Sequence, residues 1–132
     1  MRDLVESARV ARLASVDPAG NPHLVPICFA VLGDVVYSAV DHKPKRSPKL
    51  RRIANIETTG QVCVLVDEYH EDWSALRWVR LDGHGYVVDD PDEAERAMSA
   101  LTAKYPQYAA DPPDGPVLAV EVLHWSGWQA AR

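Results

Sequence analysis

Two tight-turn signatures cut the first forty residues into short strands joined by hairpins, and that spacing steers the chain toward an antiparallel sheet. Asp17-Pro18-Ala19-Gly20-Asn21 combines a proline that presets φ with Gly and Asn, which tolerate positive φ. Gly33-Asp34 supplies the second signal. Strands are predicted over residues 10–16, 23–32 and 35–40, after a short helix over 2–8. Pro26 has no N–H to give a ladder, so it marks an edge, a bulge or a point where pairing yields to a ligand.

Farther along, Ser47-Pro48 has the chemistry of a helix N-cap followed by proline at the first helical position. Leu50, Ile53, Ala54 and Ile56 then form an apolar stripe at helical spacing, closed by Gly60. Residues 61–67 read as a central, nearly continuous apolar strand. The long strand over 76–89 carries Gly83 and Gly85, which predict a bend or bulge. Asp90, Pro91 and Glu93 open a second helix in a capping-box pattern, with Ala94, Ala97, Met98, Leu101 and Tyr105 on one face and Pro106 as its stop. Residues 111–116 form a stiff loop before a last strand over 117–125. The order is helix, three strands, helix, two strands, helix, strand. It fits an α+β antiparallel sheet or barrel better than a βαβ array.

Charge is strongly segregated. Six of the fourteen Lys and Arg residues fall between positions 43 and 52, with no acid among them, in a chain of net charge −5. Such an island creates a local positive potential, and its place at a helix start makes it a seat for an anion. The acidic remainder argues against nucleic-acid binding. With 132 residues and 47% hydrophobic content the expectation is one domain over residues 1–132. No apolar run approaches a membrane span and the N-terminus has no signal-peptide core, so a soluble cytoplasmic protein is expected. Cys28 and Cys63 lie in apolar runs and read as buried reduced thiols. His23, His42, His70, His84 and His124 are too scattered for a metal box, and neither a Gly-rich phosphate loop nor a nucleophile elbow is present. Chemistry is therefore expected from a bound cofactor. Of four tryptophans, Trp73 and Trp78 read as core, while Trp125 and Trp128 read as an interface.

The order of motifs resembles a known family. Residues 9–27, from Arg9-Val10-Ala11-Arg12 through His23-Leu24-Val25-Pro26-Ile27, resemble the opening hairpin of the pyridoxamine-5′-phosphate-oxidase-like, flavin-reductase-like split β-barrel proteins. Residues 43–56 followed by 62–67 are similar to their phosphate-binding strand–helix–strand unit. Asp72-Trp73-Ser74, Lys104-Tyr105-Pro106-Gln107-Tyr108 and Trp125-Ser126-Gly127-Trp128 look like the actinobacterial branch that uses the deazaflavin coenzyme F-420. The resemblance implies a six-stranded antiparallel split β-barrel with short flanking helices, forming a homodimer with two cofactor sites at the interface. It assigns the cofactor phosphate to Lys49 and Arg52, with Lys45, Ser47 and Arg51 nearby. His23, Val25, Pro26 and Ile27 would run beside the ring, facing Ala39, Val40 and Asp41. Trp78, Arg80, Trp125 and Trp128 would reach in from the partner subunit. The implied activity is an oxidoreductase moving a hydride from reduced F-420 to a small unsaturated organic substrate. An FMN-dependent enzyme and a non-catalytic flavin or deazaflavin carrier are the alternatives. No residue is assigned a catalytic role; solvent, Tyr37, His23 and a tryptophan-lined pocket are the open sources of a proton.

Overall fold

The computed structural model describes residues 1–40 and 50–131. The order is α1 (Arg2–Ser7), β1 (Ala11–Val16), β2 (Pro22–Ile27), β3 (Ala30–Leu32), β4 (Val35–Ala39), α2 (Arg51–Thr58), β5 (Gln61–Glu68), a 3₁₀ turn (Trp73–Ala75), β6 (Arg77–Val87), α3 (Pro91–Lys104), α4 (Pro106–Ala110) and β7 (Val117–Gln129). The strands form one antiparallel sheet in the order β2-β1-β5-β6-β7-β4-β3.

That order forces curvature. β2 and β3 are opposite edges of the sheet, yet only Cys28 and Phe29 separate them in the chain. A flat seven-stranded sheet would hold its edges about 29 Å apart. A link of this length reaches only about 10 Å. The sheet therefore curls until its edges meet, as a split barrel. The expected strand over 23–32 is broken here, which makes seven strands rather than six. Phe29 is fully buried and its N–H donates to the Tyr105 hydroxyl (3.1 Å), so this stretch leaves the ladder. Cys28 beside it is exposed, against the expectation of a buried thiol.

Alternation sorts the side chains. Leu13, Val64, Val66, Val79, Leu81 and Val120 fill the barrel, joined by Leu4 and Val5 of α1 and by Ile53 and Ile56 of α2. At the β6–β7 bulge, between Asp82 and Gly83, the register shifts as the glycine pattern predicts. A Cβ on Gly83 would lie 2.2 Å from the Glu121 carbonyl oxygen, so the bend requires its absence. On the outside, α3 and α4 cover the β3–β4 end, packing Ala97, Met98, Leu101 and Tyr105 on Ala30, Tyr37, Ala39 and Ala119.

The helix termini show where local signals held. Asp90 caps α3 by accepting from the Asp92 N–H (3.1 Å), with Pro91 as its first residue. Glu93 does not complete a capping box; its Oε2 accepts from Tyr37 (2.7 Å) and Tyr86 (2.5 Å), tying α3 to β4 and β6. Pro106 ends α3 and begins α4. α2 starts at Arg51 with Leu50 extended before it, rather than at the Ser47-Pro48 pair, which lies outside the described residues. No helix is long and apolar enough to cross a membrane.

Candidate functional site

At the mouth of the barrel, α2 lies against β1. Asn55, buried on α2, donates from Nδ2 to the buried Ser15 hydroxyl of β1 (3.0 Å). Thr59 just beyond the helix donates its hydroxyl to the Val16 carbonyl (2.9 Å), which fixes the C-terminal end of α2 to the same strand. Ser15 pairs across the ladder with His23 of β2. His23 is half-buried, and its Nδ1 is buried without a hydrogen-bond partner.

Arg52 lies three residues before Asn55, on the same face of α2. Its Nε is also buried without a partner, and no ion pair engages its guanidinium among the described residues. Burial pushes its pKa below the ordinary arginine value. Among the described residues no side chain caps α2, which leaves the N–H groups of Arg51 and Arg52 at its start. A partly desolvated cation and the positive end of a helix dipole thus share the first turn of α2. This donor set fits a phosphate or carboxylate.

The other sequence-assigned residues separate into three places. Val25 lies on the inner face beside Leu13, and Ile27, Ala39 and Val40 are buried. The Val40 backbone is fully engaged, its N–H with Pro116 O (2.9 Å) and its carbonyl with Gly115 N (3.1 Å). Pro26 sits on the edge strand β2, as its missing N–H predicts. Trp78 and Trp128 are cross-strand partners on the outer face, with Arg80 and Ser126 the next outer pair. Trp125 pairs with Leu81 on the inward face, and the Arg2 guanidinium stacks over its ring at 4.7 Å. Arg51 is exposed. Asp41, Lys45, Ser47 and Lys49 lie outside the described residues. Trp73, expected in the core, is 67% exposed on the β5–β6 connection, held by its 3₁₀ turn.

The uncovered half of the outer sheet carries a second feature. Arg12, Ala14, Leu24, Cys63, Leu65, Asp67, Trp78 and Arg80 line a recess of about 470 Å³. Leu24 is 67% and Trp128 48% exposed on this face. The Cys63 thiol is pushed up by burial and then by Asp82 beside it, so it stays protonated at neutral pH. Sequence reasoning passed over Ser15, Asn55 and Arg12. A polar Asn inside the Ile53–Ile56 stripe was the available signal for Asn55; Arg12 shows only as the outward partner of Leu13 in strand alternation.

A single antiparallel sheet curled until its edges meet, with a few short helices packed on it, defines a split-barrel protein. The sequence model of the pyridoxamine 5′-phosphate oxidase family matches residues 1–129, and the chain belongs to that family. None of the curated proteins compared matches the sequence. Among solved structures, the chain is similar to a conserved hypothetical protein, Rv2991, from Mycobacterium tuberculosis, at 20% identity and TM-score 0.77, covering 96% of this chain and 81% of that one. It is similar to a FAD-binding protein from Mesorhizobium loti, at 20% identity and TM-score 0.74, covering 98% and 92%. It is also similar to HutZ, the heme storage protein from Vibrio cholerae, at 14% identity and TM-score 0.75, covering 97% and 90%. At these identities the likeness shows the fold.

Proposed function

We propose that this protein is a flavin-dependent oxidoreductase that binds FMN, with the cofactor phosphate on Arg52 and the N-terminal turn of α2. The observation that carries this reading is the half-buried Arg52 guanidinium, which has no counter-ion among the described residues, at a helix start they leave uncapped. His23, on the adjacent strand, offers an unpaired ring nitrogen toward the same mouth. Membership of the family and the FAD-binding relative support a flavin. When bound, a reduced flavin supplies a hydride to an unsaturated substrate, and the chain supplies position, charge and exclusion of water. F-420 is the second reading, favoured by Lys43, Lys45, Arg46 and Lys49 in the sequence, which offer charge to a polyglutamate tail.

The working form is a homodimer built on the uncovered outer face. Leu24, Leu65, Trp78 and Trp128 give that face an apolar centre. Arg12 and Arg80 beside Asp67 and Asp82 give it both signs of charge, which a two-fold interface can pair with itself. Fluorescence titration with FMN and, separately, F-420 tests the cofactor. Arg52→Ala should weaken binding by at least tenfold; binding unaffected by that change refutes the phosphate seat. Sedimentation at micromolar concentration tests the dimer: the wild type should sediment as a dimer and Leu24→Glu as a monomer. A monomeric wild type refutes the interface.

A further inference from the structure

Arg52 is only useful as an anion seat if α2 is held in one rotational setting. Apolar packing of Ile53 and Ile56 does not fix this, because it is non-directional. A rotation of about 20° would move a group ~6 Å from the helix axis by about 2 Å. The Asn55–Ser15 hydrogen bond is the directional contact made from within the helix, and it is buried at both ends; the Thr59–Val16 hydrogen bond holds only the residue beyond its C-terminal end. Asn55 is further locked through its own backbone, whose carbonyl accepts from Thr59 N at 2.8 Å. Such a pair adds little net stability. Replacing both members of a buried polar pair with apolar groups of the same shape is often neutral, because the desolvation cost disappears with the hydrogen bond. Its value lies in geometry.

We infer that the buried Ser15–Asn55 pair is a positioning device that sets α2 on β1 so that Arg52 is held, unpaired, where a cofactor phosphate binds. This rests on the phosphate seat proposed above. Arg52 Nε and His23 Nδ1, two buried polar atoms with no partner among the described residues, flank the pair along α2 and across the β1–β2 ladder. Neither Ser15 nor Asn55 needs to touch the cofactor.

The test compares affinities with and without the phosphate: FMN against riboflavin, and F-420 against its phosphate-free deazaflavin chromophore. The variants are Ser15→Ala/Asn55→Leu, in which Leu keeps the branching of Asn, and Ser15→Ala alone, a smaller change in volume that leaves the Asn55 amide without its partner. Arg52→Ala is the reference. The double variant should keep its thermal midpoint within a few degrees and its riboflavin affinity, while its preference for FMN falls tenfold or more toward that of Arg52→Ala. Ser15→Ala should shift the preference in the same direction, which keeps the test decisive if the double variant folds poorly. A wild-type preference that both variants retain overturns this inference alone. A wild type that binds the phosphorylated and phosphate-free forms equally overturns the phosphate seat and this inference together.

Discussion

Lys104 should make the protein more stable in mild alkali than at neutral pH. Its ammonium sits 3.8 Å from the centre of the Phe29 ring and 5.5 Å from that of Tyr105, with Nζ buried and without a hydrogen-bond partner. Burial, and then repulsion from Arg9, push its pKa from 10.5 down to about 8; Cys28 and Glu6 pull weakly the other way. Between those two values the unfolded chain holds a proton that the folded protein has released, so stability rises with pH across that window. Below about pH 8 both states are protonated and the full penalty applies. Taken whole, the interval corresponds to about 3.4 kcal/mol. Lys104 remains partly exposed, and solvent screening reduces this to about 1–2 kcal/mol. Lys104→Met keeps the stem and removes the charge, at a loss of about 0.5–1 kcal/mol of cation–π attraction. Urea denaturation at intervals from pH 7 to 10.5 should therefore show the variant gaining most over wild type at pH 7. That advantage should shrink by about 1–2 kcal/mol as the wild-type amine deprotonates. A difference that is flat with pH, or that grows with it, refutes the reasoning.

Glu93 should control the acidity of the phenols it accepts from. The Tyr37 hydroxyl is pushed up to about 12, by burial first and then by Glu93. In Glu93→Gln its ionisation should move to lower pH in an ultraviolet titration, with a loss of about 1 kcal/mol in urea unfolding; an unmoved titration would assign the shift to burial alone. Two glycine substitutions should differ in kind. Gly83→Ala drives a methyl into the Glu121 carbonyl and should cost about 2–4 kcal/mol. Gly20→Ala meets no atom but sits at φ +90, and should cost nearer 1 kcal/mol. Equal thermal shifts in the two variants would mean that the bulge relaxes more readily than its geometry implies.

Features encoded by neighbours in the chain were legible. The turn after β1 forms because the Asp17 carboxylate accepts from the N–H groups of Ala19 (3.0 Å) and Asn21 (2.9 Å) and from the Asn21 amide (3.0 Å), all within four residues. The start of α3 is likewise set by Asp90 and Pro91 alone. What stayed hidden depends on residues far apart. The break at Phe29 answers to a hydroxyl 76 positions away, and Glu93 prefers two tyrosines on other strands to its own helix cap. Arg52 was legible as part of a basic island at a helix start, because charge is local, and its singling out came from the family resemblance. That it has no counter-ion among the described residues, and that Asn55 and Ser15 meet one turn along α2, depend on how the sheet closes on itself.

Strand alternation also links the two halves of the proposed site. On β1, Ser15 faces the barrel mouth while Arg12 and Ala14 face outward, and on β2 His23 and Leu24 divide the same way. The inner set meets α2 and the outer set forms the recess on the uncovered sheet. A one-residue slip of this hairpin would exchange the two sets completely. The register is held by the Asp17 turn at one end and by the Cys28-Phe29 link, anchored on Tyr105, at the other. Tyr105 in turn donates to the Arg9 carbonyl (2.9 Å), just before β1 begins. The proposed anion seat, through Ser15, and the outer face are therefore coupled through the backbone of one hairpin. A lesion at either anchor should disturb both, even though the affected side chains lie on opposite faces of the sheet.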